Sequence, residues 1–227
     1  MFKKEKFKTL DQKYKSHAYE GLMGFFMRYC HKNLEKINFP KDISKVLEIG
    51  AGDAPHYSYV KHSYNEYYIL ETSKYALEIE HNNPKVKVVK YDGVTIPFED
   101  NIFDRIIISH CLEHVNNPEK FLLQMMDKLK TGGVLSISLP TDPGLLFRLG
   151  RFYLKTFSIN KKYKISKEDF DYMNATEHIN SIFGLISIIK YHFKSDIIEN
   201  YLPFKIKMPD LNIFYNVHIF KHNKIEM

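Results

Sequence analysis

Val46-Leu47-Glu48-Ile49-Gly50-Ala51-Gly52-Asp53 is the stretch whose reading decides the fold. The apolar run from Lys45 to Ile49 reads as a short buried strand, and two glycines one residue apart end it. Glycine lets the chain turn sharply and approach a ligand with no Cβ in the way. The third glycine of a dinucleotide fingerprint is missing, because Pro55 stands there, so NAD and FAD fit poorly. There is no Walker Gly-Lys-Ser/Thr, and Glu48 and Asp53 place negative charge on both sides of the turn. The bend therefore suits a nucleoside carrying positive charge better than a polyphosphate.

Outward from the bend the chain alternates strand and helix. Glu66 to Leu70 reads as a strand, Lys74 to His81 as a short helix, and Val86 to Tyr91 as a strand turning at Asp92-Gly93. Phe103 to Ser109 is β-branched and nearly all apolar, which predicts a central strand covered on both faces. Asn117 and Pro118 open a helix whose stripe is Phe121, Leu122, Met125, Met126 and Leu129, and Gly132-Gly133 closes it before a strand over Val134 to Leu139. Upstream, Ser16 to Ile37 carries Leu22, Phe25, Phe26, Tyr29 and Leu34 at helical intervals. Downstream, Thr141 to Ala175 is too long for a plain connection and reads as a lid. A helix over Ile182 to Phe193 and a closing hairpin of Asp196 to Tyr201 and Asn212 to Phe220 follow. The expected architecture is one α/β domain over residues 1–227, a Rossmann-like, seven-stranded, mostly parallel sheet with helices on both faces. Residues 1–42 form an N-terminal helical cap, 43–140 the ligand-binding core, 141–180 the lid and 181–227 the last helix and strands.

Composition narrows the partners. With 227 residues, 44% apolar and 26% charged, the chain is neither disordered nor a small disulfide scaffold. Cys30 and Cys111 are 81 positions apart, which suits neither a zinc site nor a disulfide framework, and no metal is expected. No secretory signal or membrane-length apolar run is evident, so a cytoplasmic location is expected. The net charge of +6 comes almost wholly from lysine: only four of 33 basic residues are Arg, the usual phosphate fork. Between Arg148 and Lys167 seven cations occur with no acid. That run is either a solvated face or a collar for an anionic substrate.

The candidate site gathers at the carboxyl ends of the strands, where open α/β sheets bind ligands. Glu71 lies 23 residues after Glu48 at the end of the second strand, where a carboxylate grips ribose hydroxyls, and Asp92 ends the third. With LEIGAGD at 47–53, ILETS at 69–73, KYDG at 90–93, PFEDNIFDRIIISHCLEHV at 97–115 and LKTGGVLSISLP at 129–140, the chain resembles the class I S-adenosylmethionine-dependent methyltransferases. It is similar, too, to small-molecule methyltransferase domains of bacterial capsule and lipopolysaccharide biosynthesis. The resemblance implies S-adenosylmethionine as cofactor and S-adenosylhomocysteine as product. It also implies a cofactor site built from Glu48, Gly50, Ala51, Gly52, Glu71, Thr72, Asp92, Gly93, Ser109, His110 and His114.

On the acceptor side, Asn174 to Phe183 resembles the His-containing segment that follows the fifth strand in many small-molecule methyltransferases. His178 is the candidate base or acceptor contact, with Tyr172 and Asn174 in its neighbourhood, while Tyr14 and His17 are placed to reach the cofactor from the leading segment. The Asp/Asn-Pro-Pro-aromatic segment of DNA amino-methyltransferases is absent, Ser109-His110-Cys111-Leu112 taking its place. DNA is therefore not an expected substrate. The expected reaction is methylation, on oxygen, of a small polar and anionic precursor of a bacterial surface polysaccharide, such as a phosphorylated, phosphoramidate or nucleotide-linked one. The alternatives are an RNA methyltransferase and a module that binds the cofactor without turnover.

Overall fold

A computed structural model describes residues 19–39, 42–52, 56–72, 83–159 and 164–222. Seven strands form one sheet: β1 (Lys45–Ile49), β2 (Glu66–Glu71), β3 (Val86–Lys90), β4 (Phe103–Ser109), β5 (Leu129–Pro140), β6 (Ile197–Leu202) and β7 (Phe214–Phe220). Their order is β3-β2-β1-β4-β5-β7-β6. The first five run parallel, and β7 inserts antiparallel between β5 and β6. The order reverses between β1 and β4, which opens a crevice at the carboxyl ends of those strands beside the glycine bend.

The two faces of the sheet differ in chemistry. One carries Leu47, Ile49, Leu70, Ile106, Ile108, Leu135, Ile137, Tyr215, Val217 and Ile219, all fully buried. Helices α2 (Pro118–Lys128) and α5 (Ile182–Phe193) cover it with Phe121, Leu122, Met125, Leu185 and Ile189. The other face is covered by α1 (Gly21–Leu34) and is polar through its middle. Arg105, Ser136, Asn216 and His218 are buried there beside His31 and Glu35 of the helix.

Charges in that layer are matched. Arg105 reaches Glu35 at 2.6 Å and His62 at 2.9 Å, donates to Ser136 Oγ at 3.2 Å, and lies over the Phe39 ring. Burial pushes the Glu35 carboxyl up, but the hydrogen bond from His56 and the charge of Arg105 outweigh it and hold Glu35 well below the usual range.

Several expectations need correction. The apolar stripe of the first helix faces the sheet only in part: Leu34 is buried and Phe26 and Tyr29 pack half-buried against Cys30, Leu202 and Phe214, but Leu22 is 72% and Phe25 56% exposed, while Gly24, Cys30, His31 and Asn33 are buried. The sheet face below offers polar side chains, so a polar helix face docks on it. Gly132-Gly133 does not end α2, which stops at Lys128; β5 begins at Leu129 and includes both glycines. The helix expected over Lys74 to His81 lies outside the described residues.

The lid is helical. Helix α3 (Leu145–Tyr153) runs into a wider π-type turn at Leu154–Ser158, and α4 (Lys167–Glu177) starts on a Ser166 cap. Its own small core is Ile159, Ile165, Phe170 and Met173. Among the described residues no helix is long and apolar enough to cross a membrane.

Candidate active site

The glycine bend is shaped by its neighbours. Gly50 has φ +65°, and a Cβ there would lie 2.3 Å from Cys111 Sγ and 2.8 Å from Cys111 Cβ. The loops after β1 and β4 thus pack backbone against side chain, which only glycine permits. Gly52 is also left-handed, with φ +57°, but a Cβ on it would meet nothing within 4 Å. The open side of the bend is therefore at Gly52, where a ligand can approach the backbone. Burial pushes the Cys111 thiol up to about 12, so it stays protonated and serves packing.

Glu71 closes this bend from β2. Its carboxylate accepts the Gly52 N–H at 2.8 Å and the Thr72 N–H at 2.7 Å. Thr72 Oγ1 also donates to Oε1 at 3.2 Å, and together these bonds fix the orientation of the carboxylate. Gly93, at φ +84°, brings the loop after β3 against Thr72, where an added Cβ would stand 3.3 Å from Thr72 Cγ2. Asp92 is exposed and its Oδ1 accepts from Val94 and Thr95, the two bonds that hold its carboxyl below the usual range. One oxygen of Asp92 thus shapes its own loop.

The remaining expected cofactor residues divide by depth. Ala51 is buried within the bend. Glu48 lies in the interior below it, where Tyr67 donates to Oε2, Oε1 has no partner, and burial raises the carboxyl. Ser109 ends β4, with its hydroxyl 3.5 Å from His31 Nδ1. His110 has the left-handed φ of +52°, its N–H donates to Ser138, and its Nε2 is buried without a partner. A strained backbone and an orphaned polar atom at a strand end are the marks of a ligand site. Together, the open side at Gly52, the oriented Glu71 carboxylate and the unpaired His110 nitrogen fit a polar nucleoside ligand.

His178 follows α4 directly, and its surroundings are well determined. Its Nδ1 lies 2.7 Å from Asp142 Oδ2 and 3.2 Å from Arg151 Nη2; the carboxylate is the nearer partner and can only accept, so Nδ1 carries hydrogen and the neutral ring keeps its lone pair on Nε2. Asp142 is in turn gripped by Arg151 through both oxygens, at 2.9 and 2.6 Å. Partial burial pushes the Asp142 carboxyl up, but the His178 hydrogen bond and Arg151 outweigh it and hold it low. His114 packs edge-on against His178 with ring centres 5.1 Å apart, and its Nδ1 is 2.5 Å from the Glu177 carbonyl oxygen.

Asn180 ties this corner to the sheet. Its side-chain amide donates to the carbonyls of Leu112 and Val115, and its backbone N–H to that of Glu113. Beside these, the Glu113 side chain is buried, which pushes its carboxyl up to about 7.

Tyr172 and Asn174 are not brought to His178. Tyr172 is 58% exposed on α4, and the Asn174 amide is engaged with the Phe170 carbonyl one turn back. Tyr14, His17, Asp53, Lys161 and Lys162 lie outside the described residues. Asp142, Arg151 and Asn180 are the residues sequence reading missed; the only available signal was their place around the lid, after β5 and before α5. The cationic run is also less free than its sequence suggests, since Arg151 pairs with Asp142 and Lys155 with Asp171.

Comparison with known proteins agrees with this geometry. Residues 47–137 match the model of a methyltransferase domain family. The chain is 30% identical over 95 residues to a demethylmenaquinone methyltransferase of Renibacterium salmoninarum, covering 41% of this chain and 40% of that one. It is likewise 30% identical over 103 residues to phosphoethanolamine N-methyltransferase 2 of Caenorhabditis elegans, covering 44% and 23%. The chain thus spans less than half the length of these curated relatives. Among solved structures, the plantazolicin methyltransferase BpumL in complex with S-adenosylhomocysteine superposes with a TM-score of 0.64 at 16% identity, over 97% of this chain and 91% of that one. A possible histamine N-methyltransferase of Thermotoga maritima gives 0.61 at 20% identity, over 95% and 97%. Over residues 47–137 the chain is thus similar to a methyltransferase domain, and it shares its overall fold with these solved structures.

Proposed function

We propose that the protein transfers the methyl group of S-adenosylmethionine to an oxygen of a small polar acceptor bound between the glycine bend and His178. The observation that carries this reading is the Asp142–His178 pair: an imidazole with its Nδ1–H anchored and its Nε2 lone pair free, next to the loop that packs on Gly50. The cofactor, when bound, supplies an electrophilic methyl on a sulfonium. Gly52 and Glu71 hold its nucleoside, and the β4 loop with His110 and His114 bounds it from the acceptor side. Displacement needs acceptor oxygen, methyl and sulfur nearly in line, so positioning supplies much of the rate. His178 Nε2 accepts the acceptor's hydrogen, as a hydrogen bond at first and as a proton when the new bond forms; such assistance is worth about 10²–10⁴-fold. Asp142 stabilises the resulting imidazolium, and Arg151 keeps Asp142 ionised.

The acceptor proposed is an anionic precursor of a bacterial surface polysaccharide. Arg148 and Lys164 support an anionic acceptor, whereas Arg151 and Lys155 already have carboxylate partners and lend it less weight. A methyl-transfer screen over phosphorylated and sugar-nucleotide metabolites tests the class. His178→Ala should lower turnover at least tenfold with S-adenosylhomocysteine affinity nearly unchanged. Equal turnover in the variant would reduce His178 to packing. Activity on RNA that weakens steeply with salt would instead identify a nucleic-acid substrate.

A further inference from the structure

The sequence alone predicts no metal, because its two cysteines are 81 positions apart. Folding changes that inventory. Glu113 and His114, on the turn after β4, meet His178 from the end of α4. One ligand atom from each of the three lies within 4.8 Å of the other two.

Their protonation is fixed by what surrounds them. His178 Nδ1 faces the Asp142 carboxylate at 2.7 Å, and His114 Nδ1 faces the Glu177 carbonyl at 2.5 Å. Both acceptors require a proton on Nδ1, so both rings keep their lone pair on Nε2. Metal-binding imidazoles are held in this way: an oxygen fixes one nitrogen so that the other points at the ion. Glu113 supplies the third donor. It is only 3% exposed, its Oε1 is 3.9 Å from His114 Nε2, and its Oε2 has no hydrogen-bond partner. A buried carboxylate oxygen without a donor is costly.

We infer that Glu113, His114 and His178 form a binding site for a divalent first-row transition-metal ion, with Asp142 and the Glu177 carbonyl orienting the two imidazoles. Two nitrogens and one carboxylate oxygen favour zinc, cobalt or iron over magnesium or calcium. Coordination bonds of about 2.1 Å set neighbouring donors roughly 3.0–3.4 Å apart, so the donor atoms must draw together by up to about 1–2 Å. His114 is 37% exposed along its side chain, which leaves the ion a path from solvent. Arg151 balances Asp142, so Glu113 supplies the uncompensated negative charge for the ion. Three protein ligands leave a position for an acceptor oxygen. The inference stands on the cluster alone and does not require the methyl-transfer reading. It uses the same His178 lone pair as the proposed base, so ion occupancy decides which of the two roles His178 takes.

Chelator-treated protein titrated with Co²⁺ alone tests this through visible ligand-field absorption and metal content after gel filtration. One Co²⁺ per chain is expected, displaced by Zn²⁺. His114→Ala, His178→Ala and Glu113→Gln should each weaken binding at least tenfold, and Asp142→Asn about 10–100-fold through loss of imidazole orientation. His192→Ala, which removes a histidine from an exposed pair with Glu119, should change nothing. If Glu113→Gln or His178→Ala fails to fold, the more exposed His114→Ala decides. Absent Co²⁺ binding, or binding equally tight in His114→Ala, overturns the inference. S-adenosylhomocysteine calorimetry on the same chelated protein reports separately on the methyltransferase reading.

Discussion

Replacing Gly50 by Ala isolates the contact on which the bend depends. Two costs add. The residue holds φ +65°, where an L side chain costs about 1–2 kcal/mol. The new Cβ would stand 2.3 Å from Cys111 Sγ, and forcing an extra carbon into packed surroundings costs about 1–3 kcal/mol more. A loss of about 2–5 kcal/mol should lower the melting temperature by roughly 5–15 °C for a chain of this size. The steric part should be recovered in Gly50→Ala/Cys111→Gly and the backbone part should not, giving a coupling of about 1–3 kcal/mol in a double-mutant cycle. Gly52→Ala serves as the contrast. It has similar backbone strain but no clash, so its stability loss should stay near 1–2 kcal/mol, while its methyl occupies the open side of the bend and weakens S-adenosylhomocysteine binding at least tenfold. Thermal denaturation and calorimetry on the five proteins read both quantities. Additive effects of Gly50→Ala and Cys111→Gly, or unimpaired ligand binding by Gly52→Ala, would refute the reasoning.

Other outcomes follow from the buried polar layer. Arg105→Met leaves the buried Glu35 carboxylate without its cation and should cost about 3–5 kcal/mol in chemical denaturation, partly restored in Arg105→Met/Glu35→Gln. His31 and His218 are held neutral by burial at about 2 and about 3, below their ordinary 6.5. The unfolded chain therefore binds protons first, so their contribution is full above about pH 6.5 and falls as pH drops towards 3. Together they should remove about 4 kcal/mol between pH 7 and pH 5, read from urea midpoints. His218→Gln should remove about 2 kcal/mol of that loss, and a stability independent of pH over this range would contradict the burial.

Much of the core was legible because its signals are local. The run into Gly50-Ala51-Gly52, the spacing to Glu71 and the Asn117-Pro118 cap are set by backbone chemistry that needs no tertiary context. The face of the first helix was legible only in part. Leu22 and Phe25 make a convincing apolar stripe, yet the sheet below presents Arg105, Ser136 and Asn216, and the polar side of the helix docks there. The alternation Leu135-Ser136-Ile137-Ser138-Leu139 did carry that information, as a strand with one apolar and one polar face. Around His178, the type of residue was readable but its partners were not. Asp142 is 36 positions away and Glu113 65, and only the folded lid brings them together. For the same reason the lid's cations looked unpaired in sequence, whereas Asp171 and Asp142 reach Lys155 and Arg151 in space.

The central claim is that the bend at Gly50-Ala51-Gly52 and the Glu71 carboxylate together bind the cofactor's nucleoside. Isothermal titration of S-adenosylhomocysteine into the native protein and into Glu71→Ala tests it most directly. One site per chain is predicted for the native protein, with affinity at least tenfold weaker in a variant that remains folded. No measurable binding to the native protein, or the same affinity in Glu71→Ala, would contradict it.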